Sequence, residues 1–194
     1  MPHPLPPSAR AWRRTVRRFV DEELIPFEVE AEMNGGVLPD TVRQRQRGRA
    51  KAIGLHALGI PRDHGGQGLG IVELVILMEE LGYALAPVPF LSNAAAGLAL
   101  QFAGTDEQKE RWLPGIASGE ARGTVGVLRD GEARLVPDAD SADVIVLIAL
   151  DGTTSVVERS AAEVESFETM DRTRRFARVR ASGGEPLGGD HLAA

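Results

Sequence analysis

The chain has 194 residues, of which 43% are hydrophobic and 26% are charged, and its 22 basic and 28 acidic side chains give a formal net charge of −6. This size allows one ordinary domain or two small ones, and the composition is that of a globular protein, which excludes a largely disordered chain. The negative charge disfavours nucleic acid and anionic membranes as partners, and the absence of cysteine excludes disulfides and thiolate metal sites.

The N-terminus and the most apolar segment bear on location. The opening residues, MPHPLPPSAR, lack the apolar core of a signal peptide. The run from Ile71 to Met78 is too short to span a bilayer, and Glu73 interrupts it. We therefore expect no membrane span and a cytoplasmic protein.

The N-terminal part of the chain predicts two helices. Apolar residues from Trp12 to Phe27 recur at steps of three and four, which indicates an amphipathic helix with Ser8 as its N-cap and an end or kink at Pro26. Residues 39–53 predict a second helix, on which a solvated surface is favoured over a nucleic-acid reader, because its basic residues spread around the helix. These basic residues are Arg43, Arg45, Arg47, Arg49 and Lys51.

The stretch IPRDHGGQGLG, residues 60–70, places four glycines within six positions before an apolar run. A glycine-rich loop at the start of a helix suggests a phosphate site. The G-x-G-x-G spacing differs from the dinucleotide fingerprint, and the Gly-Lys-Ser/Thr ending of a phosphate loop is absent. We therefore interpret the stretch as a tight turn that uses glycine at positive φ.

Residues 71–84 are apolar on nearly every side, which predicts a helix buried among other helices. Glu79 and Glu80 follow each other near its end. Adjacent helical residues do not face one another, so a surface role is favoured over a catalytic pair of carboxylates.

Residues 88–102 predict a further helix with a run of small side chains. Such a run permits close approach by another backbone, which is the favoured interpretation, or by a thin ligand. Thr105 and Gln108 then form a capping box that opens a helix before Pro114.

From residue 123 the composition changes to the short β-rich runs TVGVL, ARLV, VIVLIAL and TSVVE, separated by the turn signals RDGE, PDADSAD and DGTT. The sequence therefore predicts an α+β chain. An all-α helical bundle domain occupies residues 1–120, and a small, shortened β-barrel or sandwich-like domain occupies residues 121–194.

The chain shows no motif for metal-dependent or nucleophilic chemistry. No H-E-x-x-H pair and no G-x-S-x-G elbow occurs. A histidine in the glycine loop could serve as a general base, but a bystander role is favoured for a lone exposed histidine. The four scattered histidines are His3, His56, His64 and His191.

The ordered string IGLHALGIPRDHGGQGLGIVELVILMEELGYALAPVPF, followed by AGTDEQKERWLPGIASGEARGTVGV, resembles the N-terminal helical domain of the acyl-CoA dehydrogenase family running into its middle β domain. The resemblance lies in the P-x-x-x-G-G-x-G turn, the E-E-L-G helix end, the G-T-x-E-Q-K-x-R-x-L-P helix and the A-S-G-E that follows. The later runs LVPDADSADVIVLI and ETMDRTRRFARV are similar to the middle domain of the branch that acts on steroid side chains. In this family the glycine turn is structural.

The resemblance implies FAD-linked oxidation of an acyl-CoA thioester between its α and β carbons, in lipid or steroid side-chain catabolism. In that reaction a carboxylate takes the α proton while the flavin accepts a hydride. The residues that the resemblance places against the acyl chain, with helix packing as the alternative, are Leu91, Ala94, Ala95 and Leu98. Those whose backbone it places against the flavin are Val127, Leu128 and Arg129.

The sequence departs from the family pattern in two ways. The T-E-x-x-x-G-S-D segment and the W-I-T/S-N strand do not occur, and the chain stops before the C-terminal helical domain that carries the catalytic base. No residue is therefore assigned as catalytic or as a metal ligand. We expect a homo-oligomer, or a hetero-oligomer with a fuller acyl-CoA dehydrogenase chain. The alternative is a non-enzymatic interaction protein or a decayed homologue that no longer binds flavin.

Overall fold

The computed structural model describes residues 5–85, 88–171 and 174–188. Its α-helices are α1 (Pro7–Phe19), α2 (Glu28–Met33), α3 (Asp40–Ala52), α4 (Ile71–Leu81), α5 (Phe90–Ala103) and α6 (Asp106–Ser118). Its strands are β1 (Gly123–Arg129), β2 (Glu132–Pro137), β3 (Val144–Ala149), β4 (Thr154–Glu158), β5 (Glu163–Phe167), β6 (Phe176–Arg180) and β7 (Glu185–Pro186). The predicted α+β fold is confirmed. His3 and His191 lie outside the described residues.

The start of α1 differs from the prediction. The helix begins at Pro7, follows Pro6 and has no side-chain cap, so the assignment of Ser8 as N-cap is wrong. A proline at the first helical position has its φ already set for the helix and has no N–H that a cap could satisfy.

The end of α1 is irregular. A π-turn, Val20–Leu24, continues the helix, and a 3-10 turn, Ile25–Phe27, follows it before α2 begins. Pro26 lies in this 3-10 turn, so the predicted end of the helix at this proline is confirmed. The π-turn brings the Glu23 side chain inward, where it is only 2% exposed.

A buried carboxylate joins α1 to α4. Glu80 is fully buried, and it accepts hydrogen bonds from Arg13 Nε at 2.7 Å and from Arg17 Nε. The predicted surface role of Glu80 is therefore wrong, because its partners stand 67 and 63 residues earlier in the chain. Glu79 does lie at the surface, with its side chain 58% exposed.

The outer face of α4 also differs from the prediction. Ile71, Val72 and Val75 are 70%, 45% and 56% exposed, while Ile76 and Leu77 are buried. The helix is thus buried on one side only. The neighbouring described elements therefore cover only some of the apolar side chains of α4.

The strands form one sheet in the order β5-β6-β2-β1-β3-β4-β7. The central pair, β1 and β3, is parallel, and the other neighbouring pairs are antiparallel. On one face, residues of β2 and β6 pack in the same hydrophobic cluster as residues of β3 and β4, so the sheet curls around that cluster as in a barrel. These strand residues are Ala133, Val136, Ile145, Leu147, Val157, Ala177 and Val179.

The other face of the sheet packs on the helices. One cluster contains Leu100 of α5, Ile116 of α6 and Val146 of β3, so helices and sheet share a core. The predicted boundary between residues 120 and 121 remains a prediction.

Polar contacts attach the start of α5 to the sheet. The side-chain oxygen of the buried Asn93 accepts a hydrogen bond from Gly123 N–H at 2.9 Å, and the Ser92 hydroxyl donates to the Asp138 carboxylate. A Cβ atom on Gly123 would stand 2.5 Å from the Cβ of Ala96, so only glycine allows this approach of β1 to α5. The helix that the sequence associates with acyl binding is thus held rigidly against β1.

Candidate functional site

The four predicted acyl-contact residues, at positions i, i+3, i+4 and i+7, lie on one face of α5. Leu91, Ala95 and Leu98 follow one another at steps of four and three, which places them on one helical stripe with Phe102. Leu91 and Phe102 are 54% and 60% exposed, and Ala95 and Leu98 are half-buried. We call these four residues the α5 stripe. It is an apolar surface at the position where the resemblance implies an acyl chain.

The fourth predicted residue, Ala94, is half-buried at the edge of the same face. It lines a cavity of about 20 Å³ between α4, α5 and the segment before the glycine loop, and Leu98 reaches the same cavity. A water molecule needs roughly 10–15 Å³, so this space admits a single water and no acyl chain. Contact of an acyl chain with Leu91, Ala94, Ala95 and Leu98 remains a prediction. The exposed apolar surface at this position is the α5 stripe.

Two polar residues, His56 and Asn93, stand among the apolar residues around this cavity. The His56 ring lies 4.9 Å from the ring of Phe90, centroid to centroid, and both of its ring nitrogens are buried without a hydrogen-bond partner among the described residues. Burial, followed by the positive charges of Arg47, Lys51 and Arg122, lowers the pKa of His56 to about 4. The imidazole is therefore neutral at pH 7.

The residues predicted to contact flavin form the end of β1. Val127 and Arg129 have exposed side chains, and Leu128 packs partly in the sheet's inner cluster. Strand β3 pairs with β1 as far as Leu128, and β2 pairs with Leu128 and Arg129. Strand pairing engages some of the backbone N–H and C=O groups of this segment. Only its remaining backbone groups and the two exposed side chains are therefore free to contact a flavin.

Strand β1 passes directly into β2 through Asp130 and Gly131. Both residues have positive φ, 53° and 79°, which is the conformation of a two-residue hairpin turn that matches the strand twist. The turn therefore stands where the resemblance leads us to expect the flavin-contacting T-E segment. We assign no catalytic step to the described residues.

The glycine loop has its own internal hydrogen bonds. Gly65 has φ of 80°, and a Cβ atom on Gly66 would lie 1.8 Å from the carbonyl oxygen of Ile60, so the turn requires glycine at both positions. The N–H groups of the four glycines donate within the loop region, respectively to Arg62 O, Pro61 O, Ile60 O and Glu73 Oε2. A phosphate would have to displace these acceptors, which supports the interpretation as a structural turn.

Four of the five basic residues on α3 form ion pairs. Those nearest the π-turn bind its glutamates, and the others bind residues at the start of α3 and beyond the end of α6. The pairs are Arg45 with Glu23 at 2.8 Å, Arg49 with Glu23 and Glu22 at 3.4 and 3.6 Å, Arg43 with Asp40, and Lys51 with Glu120 at 3.7 Å. This helix is a charge-paired surface, as the sequence favours.

Two findings concern other site classes. Among the described residues, no three histidine or acidic side chains come together as a group able to hold a metal ion. No helix in residues 5–85, 88–171 and 174–188 has both the length and the apolar character needed to cross a membrane.

Sequence reasoning missed the polar residues that fix this region. Asn93 stands among the small and apolar residues at the start of α5, and that contrast is the signal that it is buried with a partner. His56 gives no such signal, because the cations around it come from α3 and from the start of β1.

The comparisons with known proteins agree with this architecture. Residues 6–120, more than half of the chain, match the family model described as acyl-CoA dehydrogenase, N-terminal domain. Acyl-CoA dehydrogenase IpdE2 of Mycolicibacterium smegmatis is 33% identical over 178 residues, which is 92% of this chain and 53% of that protein. IpdE2 of Mycobacterium tuberculosis is 33% identical over 183 residues, or 94% of this chain and 54% of that protein.

A solved structure shares the fold over the whole chain. The ChsE4-ChsE5 complex of Mycobacterium tuberculosis matches with a TM-score of 0.80 and 21% identity, covering 100% of this chain and 60% of that one. The present chain spans about half the length of the curated relatives it matches. The matching family model, the two relatives and the shared fold show that the chain belongs to the acyl-CoA dehydrogenase family.

Proposed function

We propose that this chain takes part in FAD-linked α,β-dehydrogenation of an acyl-CoA thioester in lipid or steroid side-chain catabolism, as a subunit beside a fuller acyl-CoA dehydrogenase chain. The observation that carries the proposal is membership of the family across residues 6–120. FAD, when bound, supplies the hydride acceptor. A homo-oligomer is the other assembly that the family resemblance allows.

The α5 stripe supports a role in acyl binding. Leu91 and Phe102 are large apolar side chains that water reaches, and the smaller Ala95 and the half-buried Leu98 lie between them along the helix. An acyl chain laid along this stripe would remove that surface from water, which contributes about 25 cal/mol per Å². Asn93 and Gly123 keep the stripe in a fixed position relative to β1.

The partner-dependent form of the proposal follows from the end of β1. The hairpin at Asp130 and Gly131 replaces the expected T-E segment, and Val127–Arg129 offer few free backbone groups. In this proposal a second chain completes the flavin site and supplies the base. The structurally similar ChsE4-ChsE5 complex is an assembly of two named chains, which supports a hetero-oligomeric arrangement here.

The same hairpin favours a second candidate function, a non-enzymatic interaction protein that has kept the family fold and no longer binds flavin. The two candidates differ in one observable. A dehydrogenase subunit forms a yellow complex with a larger chain, whereas the non-enzymatic protein stays colourless in every assembly.

The first test is the visible absorption spectrum of the purified chain after incubation with FAD and desalting. We expect no retained flavin from the chain alone. The tagged chain isolated from its own cells should instead carry flavin together with a larger chain of the same family. A yellow preparation that contains this chain alone would overturn the need for a partner, and a colourless assembly would overturn the dehydrogenase function.

Acyl binding is tested in the flavin-containing complex by titration with acyl-CoA thioesters, following bleaching of the flavin absorption without oxygen. Replacing Leu91 with glutamate should raise the half-saturating acyl-CoA concentration about tenfold, because a charge then faces the acyl chain. The control is Val75→Glu on the outer face of α4, an apolar position of similar exposure, 56% against 54%. Equal effects of the two substitutions would remove the α5 stripe from the acyl site.

A further inference from the structure

An open cleft of about 430 Å³ lies between α1 and α3. Helix α1 and the π-turn that continues it form one wall, and the C-terminal end of α3 forms the other. Small-molecule sites in proteins usually measure about 300–1,000 Å³, so the space accommodates a compact ligand. We call this space the α1–α3 cleft.

Two arginines that line the α1–α3 cleft have no carboxylate partner. Arg14 and Arg18 are exposed and stand one helical turn apart on the same face of α1. Neither forms an ion pair within the part of the chain that the structure describes. Arg13 and Arg17 differ, because they lie towards α4 and bind Glu80 there. Like charges one turn apart repel each other, so an anion held by both guanidinium groups relieves this repulsion.

The carboxylates of the cleft are bound by arginines of α3. The buried Glu23 pairs with Arg45 at 2.8 Å and with Arg49 at 3.4 Å. Glu22 pairs with Arg49 at 3.6 Å. Because α3 supplies cations for both glutamates, the charges of the two α1 arginines stay uncompensated, and the cleft favours an anionic ligand.

The α1–α3 cleft also has an apolar part. Phe19 is buried and Ile53 is half-buried, and both line the cleft and pack in the hydrophobic cluster beneath it. Ala11 adds a small apolar side chain from the wall of α1. An inorganic anion would leave this surface in water, whereas an alkyl chain would cover it, which is favourable. The lining therefore fits a ligand that has both an anionic group and an apolar chain.

We propose that the α1–α3 cleft binds an amphipathic carboxylate of the class of medium-chain fatty acids. The carboxylate oxygens accept hydrogen bonds from the guanidinium groups of Arg14 and Arg18, because the planar fork of arginine matches a carboxylate. The alkyl chain covers Ala11, Phe19 and Ile53. No residue of α5 lines this cleft, and the inference does not depend on the dehydrogenase function.

The test is isothermal titration calorimetry of the full chain with octanoate at constant ionic strength. We expect saturable binding to the wild-type protein, and Arg18→Gln should raise the dissociation constant about tenfold, because a charge-assisted hydrogen bond is lost. Arg47→Gln is the matched control, since Arg47 is also an exposed helical arginine without an ion pair in the described residues, but does not line the cleft. Equal weakening by the two substitutions would overturn the proposal.

Glu22→Gln should change the affinity in the opposite direction. The substitution removes a negative charge from the cleft and releases Arg49, so octanoate should bind about threefold more tightly. A loss of folded protein cannot produce tighter binding. Weaker binding by this variant, with a circular dichroism spectrum like that of wild type, would contradict the assigned charge of the site.

Two further ligands separate the contributions of the charge and of the alkyl chain. Octan-1-ol has the chain without the charge, and acetate has the charge without the chain, so both should bind at least about tenfold more weakly than octanoate. Octanol binding as tight as that of octanoate would remove the arginines from the site. Absence of octanoate binding, or octanoate binding that Arg18→Gln does not change, would overturn the proposal.

Discussion

At the scale of a single residue, His56 makes the free energy of unfolding of the protein depend on pH. Its pKa falls from the ordinary 6.5 to about 4 in the folded protein, first because of burial. Between these pH values the unfolded chain binds a proton at this histidine that the folded chain does not bind. The contribution of neutral His56 to the free energy of unfolding is therefore complete above pH 6.5 and declines as the pH falls towards 4. We expect this residue to remove about 3 kcal/mol from the free energy of unfolding between pH 7 and pH 4.

The measurement is urea unfolding followed by circular dichroism at both pH values, for wild type and His56→Leu. Leucine cannot be protonated, so the variant should lose less stability on acidification. The remaining loss belongs to carboxylates with lowered pKa, such as Glu80 and Glu132. Identical pH profiles for the two proteins would show that His56 does not titrate in this way.

Glu80 is a second buried ionisable residue whose replacement should change the stability of the protein measurably. Burial opposes its ionisation, but hydrogen bonds from Arg17 and Arg13 outweigh this effect and lower its pKa. Replacing Glu80 with glutamine should destabilise the protein by about 2 kcal/mol, less than for a fully enclosed pair because water reaches both arginines. The neighbouring Glu79→Gln, at an exposed position, should change stability by less than about 0.5 kcal/mol. Similar losses in chemical denaturation would contradict the assigned burial.

At the scale of elements, two glycines predict substitutions of opposite sign. Gly131 has φ of 79° in the hairpin turn, and Gly48 lies in α3; a Cβ atom at either meets nothing within 4 Å. Gly131→Ala should therefore destabilise by about 1 kcal/mol through backbone strain alone. Gly48→Ala should stabilise by about 0.5–1 kcal/mol, because alanine favours the helix. Thermal unfolding of the two variants measures both, and shifts of the same sign would contradict the turn geometry.

Individual elements were predictable where the signal is local. The period of apolar residues predicts α1, the sequence also predicts α3, α4 and α5, and the pair Thr105 and Gln108 forms the predicted capping box. The burial of Glu80 was not predictable, since it depends on arginines of another helix. Strand β6, FARVR, was not predicted, and its arginines pair with glutamates of β5 and β2, contacts that the local sequence does not show.

The candidate site was predictable only in part, for the same reason. Sequence spacing places Leu91, Ala95 and Leu98 on one stripe, yet it cannot show that Ala94 faces a cavity beside His56. The contact of His56 with Gly119 depends on how α6 delivers the chain into β1. Contacts between distant segments follow from the assembled fold, and local patterns do not encode them.

At the scale of the whole molecule, helices and sheet should unfold together. Asn93→Ala leaves the Gly123 N–H buried without its partner, which costs about 1–3 kcal/mol. Because Leu100, Ile116 and Val146 belong to one hydrophobic cluster, the substitution should lower the stability of both the helices and the sheet. Hydrogen–deuterium exchange should therefore accelerate in β3 and in α6 alike. Faster exchange confined to β3 would indicate two independently stable units.

The parallel pairing of β1 with β3 also has a consequence for how the chain folds. Gly123 must pair with Val144 although β2 lies between them in the chain, and β6 must pair with β2 although β3, β4 and β5 lie between them in the chain. Non-local pairings of this kind slow folding, because the entropy of loop closure is lost before the contacts that repay it form. During synthesis the helices therefore emerge first, with the apolar faces of α5 and α6 uncovered until β3 and β4 arrive. The newly made chain passes through a period of vulnerability to aggregation that the finished protein does not share.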